Sequence, residues 1–279
     1  MNKKTKIDLL EYIICPQCKS EEIRQVKNHF QCTSCKSKYP IIDNILVLIK
    51  PKGQKAILNL WNKKKHLNGF KFFTTKKVGQ LAKKFTNRST ITLDVGCGTG
   101  AYQKDFKGSV ISFDYVPFFL KKAASKFKSD NRVFLIADAT EFPFRSNKFD
   151  LVFCSQVIEH FKPKDTNIVL KNMIRATKNR VVLDTPNDGN LIIRILRKVF
   201  YPGVADSDPS NPDRDPRMMH HKLMGRTDFE KHGFDIHSCI GYVSRHKFKL
   251  GSFWDVYDFF AWRLPDFGGN LIAIFTKKI

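Results

Sequence analysis

Residues 93–101 read LDVGCGTGA, in which a short apolar segment runs directly into three glycines at alternate positions. The whole segment ITLDV, residues 91–95, is rich in β-branched and apolar side chains and predicts a buried strand. Glycines at this point let the backbone turn sharply and pass close to a ligand. We therefore expect a strand, a ligand-binding loop and a helix that begins within residues 101–106.

Strand-like and helix-like segments alternate along the rest of the chain. Val78, Leu81, Ala82 and Phe85 have the spacing of an amphipathic helix before the first strand. Six further strands are predicted in SVISFD, RVFLIA, FDLVFCS, RVVLDT, HSCIGYV and NLIAIFT, with helices near 117–127 and 164–177. This alternation indicates an α/β fold with a parallel sheet covered on both faces. Its ligand should lie beyond the carboxyl ends of the strands.

The glycine loop itself fits two templates. Gly96, Gly98 and Ala101 match the G-x-G-x-x-A pattern of a dinucleotide-binding loop. Asp94, with Gly96, Gly98 and Gly100, instead matches D-x-G-x-G-x-G, which resembles motif I of the class I S-adenosylmethionine (SAM) methyltransferases. The loop alone leaves both cofactors open.

Later segments favour SAM over a nicotinamide dinucleotide. Asp114 ends the second strand and would bind ribose hydroxyls in either case. IADATEFPF and FDLVFCSQVIEHF follow in order, and both resemble later motifs of SAM methyltransferases of the ubiquinone-biosynthesis type. The resemblance covers residues 75–185 and implies a Rossmann-like sheet of seven strands, with Asp138 accepting the adenine amino group. The implied cofactor residues are Asp94, Gly96, Gly98, Gly100, Asp114, Asp138, Ala139 and Cys154.

The acceptor of the methyl group is less constrained by the sequence. In-line methyl transfer depends mainly on orientation, so a general base is optional. Where a base is needed, the sequence offers Glu159 and His160 after the fourth strand and His220 or His221 further on. Residues 155–158, SQVI, replace the N-P-P-Y type of sequence found in enzymes that methylate exocyclic amines. Carbon, oxygen, carboxylate and ring-nitrogen acceptors remain.

Four cysteines near the start of the chain form two C-x-x-C pairs. Cys15 and Cys18 are separated from Cys32 and Cys35 by thirteen residues. Each pair can direct two thiolates toward one point, so the four predict a structural zinc site with no open coordination position. Disulfides are the alternative, but no segment resembles a secretion signal.

The residues after the last cysteine extend this pattern. YPIIDNILVLI, residues 39–49, together with the cysteines resembles the small zinc-ribbon family of methyltransferase activator proteins. Asn44 and Leu46 stand where the family has glycine and proline. The resemblance covers residues 8–50 and implies a zinc ribbon, in a family whose members partner with methyltransferases acting on components of translation.

Charge is concentrated in one part of the chain. The net charge is +23, and residues 51–90 contain eleven Lys or Arg and no Asp or Glu. A basic segment with interspersed aromatic residues can follow a phosphate backbone and stack on bases, which indicates RNA as a partner. A solvated helix face in a lysine-rich chain explains the charge equally well.

The sequence therefore predicts three parts: a zinc ribbon at 8–50, a basic linker or helix at 51–74, and a methyltransferase domain at 75–279. Insertions at about 186–222 and 244–268 are predicted to cover the acceptor. Two functions stay level, methyl transfer to tRNA or rRNA and methyl transfer to a small hydroxylated or carboxylated metabolite. A SAM-binding adaptor without catalysis is a third hypothesis. We expect no transmembrane segment and a cytoplasmic location.

Overall fold

The computed structural model describes residues 7–62, 76–187, 221, 224–239, 256, 259–264 and 268–278. His220 and most of both predicted insertions lie outside these residues. The strands are β1 (Ile23–Val26), β2 (His29–Cys32), β3 (Lys38–Ile42), β4 (Ile45–Leu48), β5 (Ile91–Val95), β6 (Ser109–Asp114), β7 (Arg132–Ala137), β8 (Phe149–Ser155), β9 (Thr177–Pro186), β10 (Asp235–Cys239) and β11 (Asn270–Thr276). The helices are α1 (Pro51–Asn62), α2 (Lys76–Phe85), α3 (Pro117–Phe127), α4 (Pro163–Ala176) and α5 (Arg226–Glu230). None of the described helices is long and apolar enough to cross a bilayer.

The described strands form one sheet in the order β1-β2-β3-β4-β7-β6-β5-β8-β9-β11-β10. The pairs from β4 through β7, β6, β5 and β8 to β9 are parallel, whereas β11 runs antiparallel to both β9 and β10. Seven of these strands, β7-β6-β5-β8-β9-β11-β10, have the arrangement of the class I methyltransferase fold. The predicted α/β fold class is confirmed.

The N-terminal ribbon is built into this sheet. β4 pairs in parallel with β7, with Leu46 opposite Leu135 and Leu48 opposite Ala137. The sequence predicted a sheet of seven strands. Because the four ribbon strands join it, the sheet has eleven strands among the described residues. Pairing is possible because β4, with the sequence ILVL, is buried along its whole length and needs cover on both faces.

Helices cover both faces of the sheet. On one face, α2 packs against Val110 and Phe153, and α1 and α3 pack against Val47 and Ile136. Adjacent residues of the same strands point the other way, where α4 and α5 contribute to the largest core cluster. The helices α1, α2 and α3 thus share one sheet face, and α4 and α5 lie on the other.

The prediction that a helix begins within residues 101–106 was wrong. This segment forms consecutive turns, closed by the bonds Gln103 N to Gly100 O and Asp105 N to Tyr102 O. Both bonds span three residues and not the four of an α-helix. The reason lies in Gln103, whose buried amide Nε2 donates to Asp94 Oδ2 at 2.8 Å and to Ser112 Oγ at 2.9 Å. These bonds tie the segment to the sheet.

Candidate functional site

The glycine loop follows β5 and has a backbone conformation that is unfavourable for residues with a side chain. Gly96, Gly98 and Gly100 have φ values of +67°, +53° and +82°, in the left-handed region that favours glycine. A Cβ on Gly96 would lie 2.4 Å from Cγ2 of Val157. Glycine at 96 therefore lets the β5 loop and the segment after β8 approach each other.

Asp114, at the end of β6, fixes the shape of this loop. Its Oδ2 accepts a hydrogen bond from Gly98 N at 2.9 Å, and its Oδ1 accepts one from Val116 N at 2.8 Å. The carboxylate is only partly buried. Because a carboxylate has about four lone-pair sites, Asp114 can still accept hydrogen bonds from a ligand.

A cavity of about 690 Å³ opens at the carboxyl edge of β5, β6, β7 and β8. Its volume is typical of cofactor sites. Eight of the residues singled out from the sequence line it: Asp94, Gly96, Gly98, Asp114, Asp138, Ala139, His160 and His221. Gly100, Cys154 and Glu159 are not among the lining residues.

Asp138 reaches the cavity from the end of β7. Its Oδ1 accepts hydrogen bonds from Thr140 N at 2.8 Å and Thr140 Oγ1 at 2.7 Å. This short turn fixes the carboxylate, and Ala139 beside it presents a small side chain to the cavity. The pair thus offers one orienting acceptor next to an apolar surface.

Of the four predicted proton acceptors, Glu159, His160 and His221 lie among the described residues, and they have different positions. Glu159 is buried, and its Oε2 accepts a hydrogen bond from Thr185 Oγ1 at 3.1 Å. His221 N donates to Glu159 O at 2.9 Å, so the two residues are adjacent although their side chains differ in exposure. His160 and His221 both line the cavity. Among the three, the imidazoles are the groups placed to meet an acceptor.

A polar network that the sequence analysis missed lies beside these residues. Gln156, which lines the cavity, has a φ of +55°, and its backbone N donates to Asp184 O at 2.9 Å. Its Nε2 donates to Asp184 Oδ2 at 2.8 Å, and Asn270 Nδ2 approaches the same oxygen at 3.4 Å. Asp184 is fully buried and its Oδ1 has no partner within the described structure. The signal was available, since Gln156 directly follows β8 and Asp184 lies near the end of the neighbouring parallel strand β9, so the two must meet at one edge.

Burial also changes the ionisation of Asp94. Desolvation raises the pKa of its carboxyl to about 7, against a lowering by the hydrogen bond from Gln103. Desolvation likewise raises the pKa of Asp184 to about 6. Both groups therefore bind protons in the folded state that the unfolded chain has already released above pH 4.

We expect the contribution of these two carboxyl groups to the free energy of unfolding of the ligand-free protein to fall as pH rises from 5.5 to 7.5. Asp94 and Asp184 bind more protons in the folded state than in the unfolded state in this window, so at these two groups raising the pH favours unfolding. Asp94→Asn should make this fall smaller by about 2 kcal/mol, the amount expected between pH 5.5 and 7.5 for a carboxyl group with a folded-state pKa near 7. Thermal unfolding of both proteins at several pH values measures it, and equal slopes in the two would refute the assignment.

The four N-terminal thiols form a second candidate site. Their Sγ atoms all lie within 4.8 Å of one another. Cys15 and Cys35 are 3.6 Å apart, as are Cys18 and Cys32. These distances exceed the roughly 2.05 Å of a disulfide and match the roughly 3.8 Å expected between thiolates around tetrahedral zinc. The buried Tyr39 hydroxyl lies 2.9 Å from Cys15 Sγ and can donate to its thiolate.

Residues next to the first cysteine pair contact the loop that carries Asp138. Arg145 donates to Ile13 O at 3.2 Å and to Glu21 O at 2.9 Å, and pairs with the Glu21 carboxylate at 2.8 Å. Ile14 N donates to Pro143 O at 3.0 Å. Residues 138–145 are therefore held by contacts with residues 13–21 of the ribbon, which include the first cysteine pair.

Comparison with known proteins agrees with this arrangement. Residues 93–183 match the family model described as "Methyltransferase domain". A protein of Methanocaldococcus jannaschii, named only as uncharacterized, is 32% identical over 164 residues, which cover 57% of this chain and 62% of the relative. The chain thus spans about three fifths of the length of that relative.

Solved structures share the fold at low sequence identity. Phosphoethanolamine N-methyltransferase 2 of Haemonchus contortus is 18% identical with a TM-score of 0.50, covering 82% of this chain and 57% of its own. A SAM-dependent methyltransferase of Archaeoglobus fulgidus is 17% identical with a TM-score of 0.46, covering 71% and 94%. Residues 93–183 thus match a methyltransferase domain model, and the chain has the class I α/β fold.

Proposed function

We propose that this chain binds SAM at the carboxyl edge of β5–β8 and transfers its methyl group to RNA. The observation that carries the proposal is the shared lining of one cavity by the glycine loop, Asp114 and Asp138. A dinucleotide needs a helix N-terminus directly after the glycines to bind its pyrophosphate. Here the residues after Gly100 form turns, and four carboxyl groups line the cavity, Asp94 and Asp114 beside the glycine loop among them, which favours the cationic cofactor.

The side chains fit SAM in three places. Asp114 would accept hydrogen bonds from the ribose hydroxyls, and Asp138 with Ala139 would receive the adenine. Asp94 and the Gly96 turn would face the methionine end, where an ionised carboxylate can meet the ammonium group. Gly100 and Cys154 would act indirectly, by shaping the loop and by packing under it.

Bound SAM supplies a methyl group on a sulfonium, open to in-line displacement by a lone pair. The residues of the chain then need chiefly to orient the acceptor, which can contribute roughly 7 to 11 kcal/mol. His160, His221 and Gln156 line the remaining part of the cavity. For a hydroxyl acceptor, the imidazole of His160 or His221 would take the proton, and the buried Glu159 would hold the segment in place.

Gln156 is proposed to orient the acceptor, because Asp184 fixes its Nε2 and leaves its carbonyl Oε1 as a hydrogen-bond acceptor. Gln156→Ala should lower the rate of methyl transfer at least tenfold, the loss of one oriented hydrogen bond of about 1.4 kcal/mol or more. The affinity for S-adenosylhomocysteine should stay within threefold. Single-turnover transfer and calorimetry measure the two, and an unchanged transfer rate would exclude the role.

RNA is proposed as the acceptor because of the basic, acid-free segment 51–90 and the net charge of +23. A small metabolite is the second candidate, favoured by the aromatic side chains Phe113, Phe119 and Phe161 in the cavity wall. Enclosure by aromatic rings suits a compact acceptor as well as a flipped base.

Labelled SAM tests both acceptors in parallel. The protein is incubated with total cellular RNA and, separately, with a protein-free and RNA-free small-molecule extract. Label in RNA supports the first candidate, and label only in the extract supports the second. Binding of S-adenosylhomocysteine without transfer to either would identify the non-catalytic adaptor of the sequence analysis.

We also propose that Cys15, Cys18, Cys32 and Cys35 bind one structural zinc ion. Four thiolates in a tetrahedron suit zinc and leave no position for a substrate. Thiols used as ligands require a compartment that keeps them reduced, which supports a cytoplasmic location.

A further inference from the structure

We propose that the face of the sheet covered by α1, α2 and α3 binds single-stranded RNA through its phosphates. The inference deepens the proposed function and rests on it for the link to methyl transfer. Together the three helices carry nine lysines and no aspartate or glutamate: Lys52, Lys55, Lys76, Lys77, Lys83, Lys84, Lys121, Lys122 and Lys126. All three pack on the same side of the sheet.

The opposite face has a different charge pattern. α4 contains Asp165 beside its basic residues, and α5 contains Asp228 and Glu230. Within and next to α5, Arg226 pairs with Glu230 and Lys231 approaches Asp228 at 3.7 Å. Among the described helices, those without acidic residues therefore all lie on one face of the sheet.

Among the residues that the structure describes, few acidic groups from elsewhere neutralise this lysine face. Asp105 pairs with Lys83 at 3.0 Å, and Asp43 approaches Lys121 at 3.5 Å. Lys52, Lys55 and Lys122 are exposed and have no acidic partner within salt-bridge distance among the described residues. A polyanion that binds there displaces counterions and meets no carboxylate at these positions.

Aromatic side chains lie at the α2 edge of the same face. Lys77 of α2 sits over the Trp262 ring at 4.6 Å, and Trp262 stacks on His237 at 3.9 Å. Two and three residues before Trp262, Phe260 and Phe259 are 58% and 54% exposed. Arg263 lies over the Phe259 ring at 3.8 Å, so the exposed rings also have a cation beside them. Exposed rings beside cations are a stacking platform for unpaired bases, which selects single-stranded RNA over a duplex.

A membrane surface is the competing polyanion. Lipid insertion needs large apolar side chains among the lysines. On the three helices, Leu58 of α1, 38% exposed, is the one large apolar side chain among the described residues that is more than a third exposed. The three helices themselves therefore fit a phosphate backbone better than a bilayer. Phe259 and Phe260 would serve a bilayer as well as an unpaired base, so binding to vesicles discriminates between the two.

The test measures binding of a fluorescent single-stranded RNA of mixed sequence by anisotropy, from 50 to 400 mM salt. Wild type should bind with an affinity that falls steeply with salt. The triple variant K52E/K55E/K122E should bind at least tenfold more weakly at 100 mM salt. The slope of log K against log salt should shrink by about two, from three lost phosphate contacts at roughly 0.7 each.

A matched control changes the net charge equally at other positions. K171E/K231E/K278E reverses three exposed lysines outside the lysine face and should keep most of the RNA affinity. F259A/F260A should weaken single-stranded RNA about tenfold and leave duplex RNA unchanged. Thermal unfolding confirms that each variant is folded.

Three outcomes would overturn the proposal: no RNA binding at 100 mM salt, equal losses in the two triple variants, or tighter binding to vesicles containing anionic lipid than to RNA. Calorimetry with S-adenosylhomocysteine distinguishes a failure of the RNA-binding proposal from a failure of the proposed function. Heat without RNA binding refutes only the lysine face, whereas RNA binding without heat refutes only the SAM site.

Discussion

Gly96→Ala is expected to weaken the binding of S-adenosylhomocysteine by about 100-fold. The new Cβ would lie 2.4 Å from the Val157 side chain, and alanine would have to hold a φ of +67°. Left-handed strain and overpacking each cost about 1–3 kcal/mol, and about 2.7 kcal/mol corresponds to 100-fold. The glycine loop or Val157 must therefore move, and either movement changes the wall of the cavity. Isothermal calorimetry measures the affinity.

The control for this variant is Gly233→Ala. Gly233 has a similar φ of +79°, but a Cβ there would meet the Phe275 ring only at 3.8 Å, which is an ordinary contact. Gly233 does not line the cavity. The control should lose a small amount of stability and keep its affinity for S-adenosylhomocysteine. Equal affinities in the two variants would show that the cavity beside Gly96 is not the cofactor site.

Loss of the ribbon metal is expected to have the second large effect. Cys32→Ser should reduce the zinc content from one ion per chain to less than a tenth of that. The thermal midpoint should fall by 10 °C or more. Loss of the metal lowers the free energy of unfolding by several kcal/mol, and each kcal/mol lowers the midpoint by about 2–4 °C in a chain of this size. Zinc content by atomic absorption and unfolding by circular dichroism measure the two effects.

The same variant should also bind S-adenosylhomocysteine more weakly, by about tenfold. Cys32 and Cys15 belong to the core cluster that contains Phe142 and Phe144, in the loop after Asp138. A ribbon without metal would no longer hold Arg145 and Pro143 in place. Cys239→Ala, a buried cysteine outside the ribbon, should retain zinc and cofactor affinity. A variant of Cys32 that keeps its zinc or its thermal midpoint would contradict the structural role.

The alternation of strands and helices made the fold predictable from the sequence. Hydrophobic periodicity predicted α2 through Val78, Leu81 and Ala82, which are buried as expected. The helix predicted to begin within residues 101–106 does not form, because the long-range hydrogen bonds of Gln103 to Asp94 and Ser112 outweigh local helix formation. The pairing of β4 with β7 also depends on contacts across about ninety residues, for which the sequence has no local signal.

The candidate site was predictable where it follows strand ends. Asp94 is the penultimate residue of β5, Asp114 ends β6 and Asp138 directly follows β7, and parallel strands bring such positions to one edge. Glu159 shows the limit of this reasoning. It lies next to His160 in the sequence, yet its side chain turns into the core toward Thr185. Facing direction within a short helical turn depends on packing that the sequence alone does not reveal.

The central claim is that the cavity bordered by Gly96, Asp114 and Asp138 binds SAM. Isothermal calorimetry of the purified protein with S-adenosylhomocysteine and, separately, with NADH tests it most directly. The account predicts one saturable site for S-adenosylhomocysteine, weakened by Gly96→Ala, and no binding of NADH. Binding of NADH without heat from S-adenosylhomocysteine would contradict it.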